Sequence, residues 1–208
     1  MQGDSMVTIC NGALLPLGIK PILNPAETNE RVRTCNILYD QCRKEVLSQA
    51  TWSFATGRAT LTELSEKPPS EFAAYFELPG DYLKIDAAYA GTEDKPYTWR
   101  MEADSSGRPV LAVSAPTGTP VTCRYTRDVK NAVAFSSGFV GALKALLQAN
   151  FALKFKGSEK LRQEALSLYS GLLQAAEGSN TWDGDPTAYS EQPRFWADDN
   201  VLYLARWA

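Results

Sequence analysis

Histidine is absent from all 208 residues. That removes Ser-His-Asp and Cys-His nucleophilic catalysis, and every zinc site that needs an imidazole ligand. Cysteine is scarce. The four stand at 10, 35, 42 and 123, with no Cys-x-x-Cys pair of the kind that zinc and redox sites use. Cys35 and Cys42 are seven apart, two turns along one helix face, so both are expected to pack as small apolar side chains. A four-cysteine zinc site would have to be assembled across the fold and is not expected. Gly-Lys-Ser/Thr is missing, and Gly57, Gly107, Gly138 and Gly157 form neither a dinucleotide fingerprint nor a P-loop. No cofactor and no metal is expected.

Long apolar runs are also missing; none approaches the ~20 residues of a membrane span. The apolar run 7–19 is broken by Asn11, Gly12 and Pro16, and Asp4 stands ahead of it instead of a basic cluster. The expectation is a chain made in a reducing cytoplasm, with no membrane partner. Positive charge is not in excess either: the net charge is −3 and the pI is about 5.1. A nucleic-acid-binding module, with its basic face, is therefore a secondary reading.

What is present is ordinary for a folded chain, 44% apolar and 22% charged, of a length that suits one domain or two small ones. Residues 5–18 read as a short helix capped by Ser5 and limited by Pro16 and Gly18. Asn24-Pro25-Ala26-Glu27 reads as a helix start, with Asn at the cap, Pro at N1 and Glu at N3, and Thr28 as an alternative cap. The stripe Val32, Cys35, Leu38, Tyr39, Cys42, Val46 and Leu47 carries that helix to about Ala50, ~39 Å in all. Beyond Trp52 the period changes. Strand formers such as Thr60, Tyr75, Ile85, Trp99, Val113, Val121 and Tyr125 alternate with turn signals at Pro68-Pro69, Pro79-Gly80, Gly91, Ser105-Ser106-Gly107 and Pro116 to Pro120. This predicts an antiparallel sheet or small barrel over about 54–127. A strongly apolar helix follows from Ser137, and Ser136-Ser137-Gly138 reads as its cap. Gly157 and Ser158 make a tight turn into another helix with an inner stripe of Leu161, Ala165, Leu168, Leu172 and Ala176.

The predicted fold class is α+β. An antiparallel helical bundle is built from 1–52 and 129–177, a β lobe is inserted at 53–128, and an extended tail covers 178–208. From Glu177 onward the chain holds six aromatics, and six acidic residues against Arg194 and Arg206, leaving −4 in the tail and +1 in the body. Such a segment is too apolar for a plain linker. Val201 to Trp207 could add to a sheet or dock along a groove. Docking on another chain is favoured over folding back on its own body.

Candidate chemistry is thin. Glu102 and Asp104 near one turn, and Asp183 and Asp185 around Gly184, are pairs of the type that hydrolyse glycosides. Solvated turn acids are the simpler reading. Asp183-Gly184-Asp185 lacks the rest of a calcium loop. Arg100, Arg124, Arg127 and Lys130 could form a basic stripe for phosphates, or a solvated sheet face balanced by Asp128 and Glu102. Trp52, Phe54 and Tyr39 could line a ligand box, but core where the long helix meets the first strand is the expected reading.

Five segments, in order, resemble the tail tubular protein A family, the head-to-tail adaptors of short-tailed bacteriophages. They are Ile9-Cys10-Asn11-Gly12-Ala13-Leu14 with Leu17-Gly18; Arg43-Lys44-Glu45-Val46-Leu47; Trp52-Ser53-Phe54-Ala55 with Arg58 and Leu61; Tyr75, Leu78-Pro79, Asp81 and Leu83; and Cys123-Arg124-Tyr125 with Phe135 and Phe139-Val140. The similarity spans about 7–177. Where the family often shows a Glu-Gly turn, this chain has Glu102-Ala103-Asp104, and the tail has no family motif to match. The resemblance implies a non-enzymatic virion protein: a ring, usually of twelve copies, between the portal protein and the tail nozzle, with double-stranded DNA passing through its lumen. Arg194, Phe195, Trp196, Tyr203 and Trp207 of the tail are the expected partner contacts. The alternative is a tail-associated hydrolase that cleaves glycans with two carboxylates of the β lobe.

Overall fold

A computed structural model of the chain describes residues 5–24, 26–27, 29–69, 71–90 and 96–180. The fold is mixed, with helices at both ends of the described chain and antiparallel strands between them. Helix α1 (Met6–Leu14) starts where Ser5 Oγ accepts the Thr8 N–H at 3.2 Å. Its continuation Leu15–Leu17 tightens to a 3-10 turn at Pro16, and Gly18 stops it in the left-handed conformation at φ 66°.

Helix α2 (Glu30–Gln49) starts later than the Asn24-Pro25-Ala26-Glu27 signal predicts. Two asparagines compete for the cap. Asn24 Oδ1 accepts from Ala26 N at 2.9 Å, a local turn that consumes its oxygen. Asn29 Oδ1 accepts from Val32 N at 3.0 Å, the bond an N-cap makes. The helix is therefore ~30 Å long, not ~39 Å. Thr28 and Pro25 lie outside the described residues.

Six strands follow: β1 (Thr56–Leu61), β2 (Ala74–Phe76), β3 (Tyr82–Ala90), β4 (Trp99–Ala103), β5 (Pro109–Val113) and β6 (Val121–Arg127). They form two antiparallel sheets of three strands, ordered β1-β6-β3 and β2-β5-β4. Side chains alternate faces along each strand. Leu61, Ile85, Val121, Cys123 and Tyr125 of the first sheet join Ala74, Phe76, Leu111 and Val113 of the second in one apolar cluster. The middle strand β5 is buried from Val110 to Val113, which explains its unbroken apolar run.

Helix α3 (Ser137–Phe151) is capped by Ser136 and buries nine of its 15 residues. It unwinds into one π turn, Ala152–Lys156, which the sequence does not announce, and Gly157 ends it at φ 58°. Ser158 Oγ accepts from Leu161 N at 3.3 Å and opens α4 (Glu159–Asn180). The two helices run antiparallel, since Gly141 near the start of α3 faces Leu172 late in α4. Two expectations need correction here. Leu168 is exposed, because the inner stripe of α4 passes through Ala165, Tyr169, Leu172 and Leu173. Helix α4 also continues to Asn180, past the predicted start of the tail at 178.

All four helices contribute to one core, which also takes Cys10, Cys35 and Cys42. Gly12 of α1 lies under the Lys144 side chain of α3; a Cβ there would stand 2.9 Å from Lys144 Cε. Cys123 lies in the β cluster, so the four cysteines are divided between two cores.

Candidate functional site

The helical core and the sheets meet at a junction built from three separated stretches of sequence. Trp52, just beyond α2, donates its indole N–H to Val46 O at 2.9 Å and is almost fully buried. Its ring meets Phe139 edge-on at 5.1 Å between centroids, and Phe54 and Phe135 complete the aromatic cluster against the same Phe139 ring. Trp52 is core at this point as expected, with Phe54 partly buried against it, and Tyr39 is buried in the same helical core.

Arg43 closes the other side. Its guanidinium, 1% exposed, donates to Asp128 Oδ1, to Val129 O at 2.8 Å and to Asp40 Oδ1 at 2.6 Å. Burial acts against the charged form, but Asp128 and Asp40 outweigh it, so the group is held protonated more firmly than usual. The chain then runs on to Asp81. The Asp128 N–H donates to Asp81 O at 2.7 Å, and the Asp81 carboxylate accepts from Tyr125 Oη at 3.0 Å and Arg127 Nε at 3.1 Å. Burial raises the Asp81 pKa, yet Arg127 and Tyr125 leave it below the usual carboxylate range. A path of hydrogen bonds, charge-assisted at its two ends and joined by the backbone bond between Asp128 and Asp81, therefore runs from α2 through β6 to the turn before β3. Sequence reading missed Arg43 in this role. The available signal was a cation directly beside Cys42 and close to Val46, on the buried side of a helix; its partner lies 85 residues away.

The predicted acid pair is engaged in structural bonds. Asp104 is buried, and its Oδ1 accepts from Ser106 N, Ser106 Oγ and Arg108 N at 2.6 to 2.9 Å. Arg108 adds Nε and Nη2 contacts at 2.8 Å to Oδ2. The Ser106 hydroxyl foremost, then the Arg108 backbone N–H, hold its pKa down at about 2. A carboxylate so held is ionised at neutral pH and has no proton to give, which disfavours it as a general acid. Glu102 Oε2 accepts from Tyr75 Oη at 2.8 Å; that bond, and then burial, push the tyrosine up to about 12. Glu66 accepts from Ser105 N and Ser105 Oγ, and Glu63 from Gly118 N and Lys67. These acids clip β-lobe turns.

The basic residues do not form one stripe. Arg100 lies on β4 in the second sheet, whereas Arg124 and Arg127 lie on β6 in the first. Arg124 and Arg127 are three apart and so point to opposite faces. Arg127 lies over Gly57, where a Cβ would stand 2.7 Å from its Cγ. Asp128, expected to balance the stripe, turns to Arg43 instead. Arg124 has Arg58 directly opposite it on β1.

Arg194, Phe195, Trp196, Tyr203 and Trp207 lie outside the described residues, as do Asp183 and Asp185. Among the described residues, no group of three or more Cys, Asp or Glu side chains could hold a metal ion. No helix among them is long and apolar enough to cross a membrane. A shallow groove of about 590 Å³ runs between α2 and the π turn, with Ile37, Leu38 and Leu153 on its walls. No protein family model matches the chain, and no curated protein does.

Proposed function

We propose that the chain is a structural virion protein, the head-to-tail adaptor of a short-tailed bacteriophage. About twelve copies close a ring that joins the portal to the tail nozzle and passes the genome through its lumen during ejection. In this reading the helices form an antiparallel bundle toward the portal, the inserted β lobe meets the nozzle, and the tail 181–208 reaches the portal or a neighbouring subunit. The protein is assembled in the host cytoplasm and resides in the virion, and it works without a catalytic step.

One observation carries the reading. The segments that resemble the adaptor family are far apart in sequence, and four of the five send residues to the junction, while Leu61, Tyr75 and Cys123 pack in the β lobe. Arg43, Trp52, Phe54, Asp81, Phe135 and Phe139 all take part in it. Motif residues that meet in space are what a shared architecture requires. A junction cross-linked by charge and aromatic packing also suits a ring subunit bound by different partners at its two ends. Such a ring uses heterologous contacts, one face of each copy meeting a different face of the next.

The test is removal of 181–208, which leaves α4 whole. The truncated protein is expected to keep its circular dichroism and to dock on portal rings at least tenfold more weakly. Unchanged docking would remove the tail from the portal contact.

A further inference from the structure

The groove beside α2 is an apolar concavity with no assigned occupant. Ile37 and Leu153 line it while remaining 56% and 49% exposed. Single exposed apolar side chains are ordinary, and here two of them share one concavity, where they offer an apolar wall to a small segment. Glu30 and Lys154 pair there at 3.0 Å, which leaves Arg33 as the groove's unpaired charge among the described residues.

We propose that this groove receives the aromatic segment 195–207 of the same chain. Three observations support that occupant. The first is chemistry: the segment offers Phe195, Trp196, Tyr203 and Trp207, whose rings match an apolar wall. The second is charge. Residues 181–208 carry −3, five acids against Arg194 and Arg206, and the groove an uncompensated Arg33, so approach is favoured and weakens with salt. The third is reach. Gly141 faces Leu172, so the end of α4 at Asn180 and the groove at Leu153 are separated by ~30 Å along the helix pair. Residues 181–194 span up to ~46 Å when extended, enough to bring Phe195 to the groove. A tethered segment also faces its site at an effective concentration near millimolar, which no free partner matches.

The tail of the free subunit thus covers its own groove and keeps its aromatics out of water. A portal that takes up the same aromatics competes with the groove for them. The inference goes beyond the adaptor reading and does not need it.

The test uses the full chain alone, with benzoylphenylalanine in place of Ile37. Irradiation of a mixture of isotope-labelled and unlabelled chains is followed by mass spectrometry. The expected result is cross-linking into 195–207 within a single chain, and none there when the same group replaces the exposed Glu71. Leu153→Asp, at a half-exposed site that leaves the fold intact, lowers the yield roughly tenfold, and Arg33→Glu lowers it less. Three results each overturn the proposal: no product in 195–207, products only between differently labelled chains, or a yield indifferent to Leu153→Asp. Because no portal is present, failure here leaves the adaptor reading standing, and failure of that reading leaves this result standing.

Discussion

Arg43 holds the helices to the sheets, and its removal tests that role. Three acceptors meet its guanidinium: two carboxylates and the Val129 carbonyl. Arg43→Ala strips the pairing from the half-buried Asp128 and leaves a hole beside Cys42. A loss of about 3 kcal/mol is expected from denaturant unfolding, the usual cost of breaking a buried pair from one side. Arg43→Lys recovers only part of it, since a single ammonium cannot serve three acceptors in a fork. A loss under about 0.5 kcal/mol would place the clasp among surface ion pairs. Asp104 gives a pH prediction. Its folded pKa, about 2, lies below the unfolded value near 4. Its stabilisation is therefore full above about pH 4 and lost as pH falls toward 2. Asp104→Asn should flatten the fall of Tm over that window, and only partly, because Asp81, Asp40 and Glu63 are lowered too. An unchanged pH profile in the variant would show that the turn does not depend on the charge.

At the scale of the element, caps decide where structure begins. Asn29→Ala removes the bond to Val32 N and should cost about 1 kcal/mol, while Asn24→Ala, in a local turn, should cost a few tenths. The reverse order in thermal unfolding would restore the earlier helix start. The same pair shows what was legible in the sequence. Periodicity gave α2 its buried face and its end near Ala50, because burial enforces spacing over the whole helix. The start was misplaced because two asparagines five residues apart both qualify as caps, and only the geometry of Val32 N selects one. Ser5 and Ser158 have no such rival, and each caps as expected; of the two serines in the Ser136-Ser137-Gly138 signal, Ser136 makes the cap. Spacing alone places Leu168 in the inner stripe of α4, whereas the stripe that packs on the core runs through Tyr169 and Leu173. The π turn at Ala152–Lys156 has no signature in composition.

For the whole molecule, the mixed α+β class was readable, because the period changes from helix to strand after Trp52 and back at Ser137. The pairing of six strands into two sheets was not, since register depends on which distant strand supplies the partner face. The junction was half legible. Its aromatics stood out as core, whereas the Arg43 to Asp128 bond joins residues whose pairing only the fold reveals. The exposed groove has no sequence signal: Ile37 lies outside the apolar stripe of α2, and Leu153 reads as part of the buried helix from Ser137 but is half exposed where that helix widens into the π turn. If the adaptor reading holds, these parts serve one end. In that proposal a firm junction would carry force between a portal-facing helical layer and a nozzle-facing β lobe. The mass of the purified protein, alone and mixed with portal rings, tests this by light scattering. The account predicts a defined ring of about twelve subunits, free or on the portal. A monomer that stays monomeric and ignores the portal would contradict it.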